Sequence, residues 1–145
     1  MPDSSPTNLT AADVMTPNPR TCSAFSTMLE ASMLFEDVGC GAVPVIDAGQ
    51  PIGILTDRDV ALAVANNPDL GTLPVADFMS KDVFSVAPDA SLEEVGALFG
   101  QHSVRRLLVM DADGQLLGII ALSDLAPHVS EQRLGQVMNQ VMEET

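Results

Sequence analysis

Apolar positions recur along this chain in two periods, and each period is used twice. Met28, Ala31, Phe35 and Val38 fall at helical spacing, as do Leu92, Val95 and Phe99, so each run predicts an amphipathic helix. Thr27 with Glu30, and Ser91 with Glu94, place a capping box at the start of each. After each helix come two short apolar segments around a glycine turn: Ala42 to Ile46 and Ile52 to Leu55 about Gly49, then Leu107 to Met110 and Leu116 to Ala121 about Gly114. Such pairs predict β-hairpins. A further helix is expected near Asp57 and again near Ser123, and a small leading strand around Thr21-Cys22 and Phe84-Ser85.

The doubling is one of residues as well as of pattern. Ala12-Asp13-Val14-Met15 returns as Ala76-Asp77-Phe78-Met79, and Val45-Ile46-Asp47-Ala48 as Val109-Met110-Asp111-Ala112, both displaced by 64 residues. Asp113 then enters as one extra turn residue, so Gly53-Ile54 answers to Gly118-Ile119 and Asp59 to Asp124 at a displacement of 65. A one-residue slip confined to a turn is what a duplicated fold tolerates. The expected layout is a flexible tail (1–8), a first repeat (9–67), a breaker-rich linker (68–74), a second repeat (75–130) and a C-terminal helix (131–145). The fold class is α+β: two β-α-β-β-α repeats packed pseudo-symmetrically, since about 60 residues bury little alone. The last helix carries Leu134, Val137, Met138, Val141 and Met142 on one stripe, which packs on its own core or on a second copy of the chain.

Composition narrows the functions. With 145 residues, 46% of them hydrophobic, the chain can bury a core, and no apolar run reaches the roughly 18 to 20 residues of a membrane span. The polar, Pro-rich start lacks a basic-then-apolar signal, so a cytoplasmic location is expected. Twenty acidic residues against six basic ones give a net charge of −14, which repels nucleic acid and anionic membranes alike. Cys22 and Cys40 show no metal-ligand or disulfide pattern and read as small apolar residues in a reduced compartment. His102 and His128 have no evident Ser or Cys partner, and phosphate-loop and dinucleotide fingerprints are absent, so no catalysis is expected. His102 reads as a tucked or rim histidine.

The stretch from Gly53 to Asp59 carries the chemistry. A buried strand runs into a helix whose start holds Thr56 and Asp59 at capping-box spacing, with Arg58 between them. Helix amides, a hydroxyl, a carboxylate and a guanidinium converging there suit a phosphorylated sugar.

These residues resemble the tandem cystathionine β-synthase (CBS) domain pair, in its small stand-alone bacterial form, over about residues 9 to 130. The resemblance rests on Asp13-Val14-Met15-Thr16 and Asp77-Phe78-Met79-Ser80, on Val43-Pro44-Val45-Ile46-Asp47 and Arg105-Arg106-Leu107-Leu108-Val109-Met110-Asp111, and on Gly53, Thr56 and Asp59. It implies a non-catalytic regulatory module that binds AMP, ADP, ATP or S-adenosylmethionine between the repeats and needs no cofactor. In the family the signature Asp holds the ribose and the Thr or Ser lies near the phosphate. Carried over, Asp59 and Thr56 form the first site, with Thr21 and Val43 near the base. The second site keeps Asp124, with Ser85 at the leading-strand position, but has Ala121 where the family has a hydroxyl. Arg105 and Arg106 replace Gly41 and Ala42 there, and a guanidinium can grip a phosphate with two bonds. Arg58, Arg105 and Arg106 thus place half of the six basic residues beside site positions. A homodimer is expected. The competing reading is a structural protein that keeps the fold, binds no nucleotide and meets an unknown protein partner.

Overall fold

The computed structural model describes residues 9–38, 41–128 and 130–143, the side chains of 36–38, 133 and 140–143 excepted. The tail expected over 1–8, Cys40 and the side chains of the outer stripe residues Val141 and Met142 lie outside what is described. The chain forms two compact units, one from Pro19–Val83, the other from the chain up to Asn18 joined by Phe84 onward.

In the Pro19–Val83 unit, β2 (Cys22–Ser23) runs parallel to β3 (Ala42–Asp47), which pairs antiparallel with β4 (Gln50–Thr56). Ala48 (φ 52°) and Gly49 (φ 80°) make the turn between β3 and β4. Two consecutive left-handed residues match the right-handed twist of a hairpin. Helix α2 (Met28–Val38) is capped as its sequence predicts: Thr27 Oγ1 accepts the Glu30 amide at 3.1 Å and Glu30 Oε1 accepts the Thr27 amide at 2.8 Å. Its Met28 and Ala31 enter a core with Val45, Leu55, Val75 and Ala63 of α3 (Asp57–Asn66). The connector folds back onto α2 through short 3-10 turns at Leu70–Thr72 and Val75–Asp77, with Leu70 buried. The Met28 amide donates to Leu73 O and the Val75 amide to Ser26 O, each at 2.8 Å.

The other unit repeats this plan. Its sheet has the order β1 (Thr16–Pro17), β7 (Leu116–Ala121), β6 (Arg106–Met110), β5 (Ser85–Val86), with β5 parallel to β6 and the other pairs antiparallel. Leu92, Val95 and Phe99 of α4 (Leu92–His102) pack on Leu107, Val109 and Ile120. Ser91 Oγ accepts the Glu94 amide at 3.1 Å. After β7 the chain makes only one turn of helix, α5 (Leu122–Leu125), before a 3-10 turn and α6 (Glu131–Glu143). Val137 of α6 is buried against α4, 3.7 Å from where a Gly96 Cβ would stand, while Met138 stays exposed. Of the described stripe residues, Val137 therefore packs on its own core, while Met138 does not.

Each unit also holds the opening of the other repeat. The first repeat's opening, α1 (Ala11–Val14) and β1, lies on β7, and the second repeat's Ser80 bridges Ile54 of β4. Glycine makes both dockings possible. A Cβ on Gly118 would stand 2.8 Å from Thr16 O and 2.9 Å from Met15 Cγ. On Gly53 it would stand at the same distances from Ser80 O and Met79 Cγ.

Candidate functional site

In the Pro19–Val83 unit the expected site residues gather at one end of the sheet. Thr56 ends β4 and caps α3, its Oγ1 accepting the Asp59 amide at 3.1 Å while Asp59 Oδ2 accepts the Thr56 amide at 2.9 Å. Both side chains are half-buried, whereas Asp57 and Arg58 are exposed. Across the hairpin Ala42 stands opposite Thr56, and Gly41 O accepts the Asp57 amide at 3.2 Å. Thr21 is exposed and enters β2, which runs beside β3, so it reaches the same sheet end. Val43 faces Leu55 and has 0% exposure, which leaves a ligand no apolar surface of that side chain.

Charge at this end is mixed. Helix α3 spans ten residues, enough for its free amides to present positive potential, but Asp57 and Asp59 occupy its first turn. A carboxylate offers about four lone-pair sites, so the bond from the Thr56 amide leaves Asp59 capacity for hydroxyl donors.

The other unit assembles Ser85, Arg105, Arg106 and Asp124 in the corresponding places. Ser85 opens β5 and pairs with Leu108 of β6. Arg106 stands opposite Ala121, and Arg105 O accepts the Leu122 amide at 3.0 Å. Asp124 Oδ2 accepts the Ala121 amide at 2.8 Å, so the carboxylate half of the cap persists where the hydroxyl half is gone. Arg105 is exposed, and half-buried Arg106 donates from Nη1 to Arg105 O at 3.2 Å.

Two features lay beyond the sequence reading. Ser80 and Ile54 exchange main-chain bonds of 2.8 and 2.9 Å, which brings the second repeat's opening to within two residues of Thr56. Glycine inside a strand, at Gly53 and Gly118, was the available signal for such a close approach. Beside Ser85, the Phe84 ring stacks on His102. Cys22, half-buried in β2, has its thiol pushed up to about 11 by burial, consistent with an inert apolar role. Among the described residues no group of three or more His, Cys, Asp or Glu side chains could hold a metal ion, and no helix is long and apolar enough to cross a membrane.

Comparison with known proteins follows the same two segments. The CBS domain family model matches residues 11–66 and 75–131. A CBS domain-containing protein of Bacillus subtilis, YhcV, is 38% identical over 130 residues, covering 89% of this chain and 92% of that one. Among solved structures, the CBS domain protein TA0289 of Thermoplasma acidophilum superposes with a TM-score of 0.78 at 22% identity, over 91% of this chain and 75% of that one. CBSX2, solved in complex with AMP, gives 0.68 at 27% identity, over 82% and 94%. With two matched segments in tandem and a relative 38% identical over most of both chains, the chain belongs to the CBS domain family.

Proposed function

We propose that this chain is a non-catalytic regulatory module that senses an adenosine-containing ligand: AMP, ADP, ATP or S-adenosylmethionine. The observation that carries the reading is the intact Thr56–Asp59 pair at the end of β4, which unites a hydroxyl, a carboxylate with spare acceptor capacity and a ten-residue helix start. The AMP held by the structural relative CBSX2 supports adenosine as the chemistry. Asp59 would take the ribose hydroxyls and Thr56 the first phosphate, with Thr21 and the main chain beside Val43 flanking the base. The molecule works in the cytoplasm as a homodimer, and the ligand acts by binding one of two conformations more tightly than the other.

A second reading, a scaffold that meets another protein and binds no nucleotide, draws on Ala121, which removes a hydroxyl from the second signature. Thermal shift with AMP, ADP, ATP and S-adenosylmethionine separates the two. A ligand at 100 times its dissociation constant adds about 2.7 kcal/mol, a rise of several degrees. Flat curves with all four would leave the scaffold reading standing.

A further inference from the structure

The two sheet ends are built alike but charged differently. The Ala42–Thr56 pair of one hairpin is replaced at the same register by Arg106–Ala121 in the other. The small residue and the longer polar one have changed strands, so the polar group approaches from the neighbouring strand, as a cation. Around it the first helical turn changes in step: Asp57, Arg58 and Asp59 become Leu122, Ser123 and Asp124, while Gly41 and Ala42 become Arg105 and Arg106. Counted over these five matched positions, the formal charge is −1 at the Thr56 end and +1 at the Arg106 end. With Arg20, next to Thr21, and Phe84 at its matched position also counted, the totals are 0 and +1.

The helix starts differ as well. The single turn of α5 supplies no appreciable dipole, so the guanidiniums carry the positive charge at that end. Arg106 is positioned for that work: the residue is half-buried on the inner strand β6, and Nη1 donates to Arg105 O. A guanidinium has five donors, so this bond leaves the rest for an incoming phosphate.

Resting on the nucleotide reading above, we infer that the two ends take different ligands. The Arg106 end selects a polyphosphate nucleotide, and the Thr56 end selects an adenosine compound with little negative charge, a monophosphate or a sulfonium. The two signatures then divide the work, and Ala121 marks a change of specificity rather than decay. At physiological salt only charges within about 8 Å are felt strongly, so the overall −14 does not override this local difference.

The test is calorimetric titration of the full chain with AMP and with ATP, in EDTA, for wild type, Arg106→Gln and Asp59→Asn. Glutamine keeps part of the stem and removes the charge, and circular dichroism verifies that each variant folds. Arg106→Gln should weaken ATP by about ten- to a hundred-fold, the loss expected for a charge-assisted bond, and leave AMP within about two-fold. Asp59→Asn should do the reverse. An unchanged ATP-to-AMP ratio in Arg106→Gln overturns the division of ligands while the nucleotide reading survives. No binding of either compound to wild type overturns both.

Discussion

The imidazole of His102 lies flat on the ring of Phe84, centroids 3.9 Å apart and planes 7° from parallel. The pair joins the end of α4 to the residue before β5, a link the first repeat does not possess, because Arg20 and Val38 hold those positions. An aromatic pair contributes about 0.5–1.5 kcal/mol beyond its buried area. His102→Ala should therefore lower the melting temperature by a few degrees, and His102→Phe should retain most of it. Equal losses in the two variants would deny the stack a role.

The openings predict a second effect. Gly53→Ala and Gly118→Ala should each cost about 1–3 kcal/mol by urea unfolding, the usual range for overpacking. Adding Met79→Ala to Gly53→Ala should not restore stability, because Ser80 O still stands 2.8 Å from the new methyl. Full rescue by the double variant would mean that the methionine alone creates the constraint.

Capping gives a prediction of opposite sign at matched positions. Thr56→Ala removes the hydroxyl that accepts the Asp59 amide and should cost about 1 kcal/mol. Ala121→Thr restores that hydroxyl opposite an Asp124 carboxylate already in place and should raise the melting temperature by a degree or more. A destabilised Ala121→Thr would show that the Arg106 side chain needs the space.

Burial of Cys22 sets a pH dependence. Its folded pKa of about 11 lies above the ordinary 9.0, so the native state keeps a proton that the unfolded chain releases. The stabilisation is complete below pH 9 and is lost as pH rises from about 9 to 11. Urea unfolding of wild type and Cys22→Ala over that range should give a stability difference that shrinks with pH. A constant difference would mean that the thiol titrates normally. Cys22 should also resist iodoacetamide at pH 8 until the protein is unfolded.

Much of this molecule is written locally, and that part was readable. The helices around Met28 and Leu92, their caps at Thr27 and Ser91, and the hairpins about Gly49 and Gly114 follow from periodicity and turn chemistry within a dozen residues. The docking of each opening was not readable, because Met79 meets Gly53 across 26 residues and the local pattern records only a glycine in a strand. The exchange between Ala42–Thr56 and Arg106–Ala121 needed the register, which a bulge in each hairpin and the extra Asp113 shift along the strands. Val43 was chosen by motif position, but only packing reveals that its side chain has no exposed surface.

Because the chain crosses from one unit to the other at Asn18–Pro19 and back at Val83–Phe84, the second repeat's sheet takes its edge strand β1 from the first repeat, while β4 of the first repeat is bridged by Ser80 of the second. A second repeat expressed alone would leave the β7 edge, where β1 pairs, open for the opening of another molecule. Cutting the connector would leave two fragments, each holding a segment that docks on the other: β1 on β7 and Ser80 on Ile54.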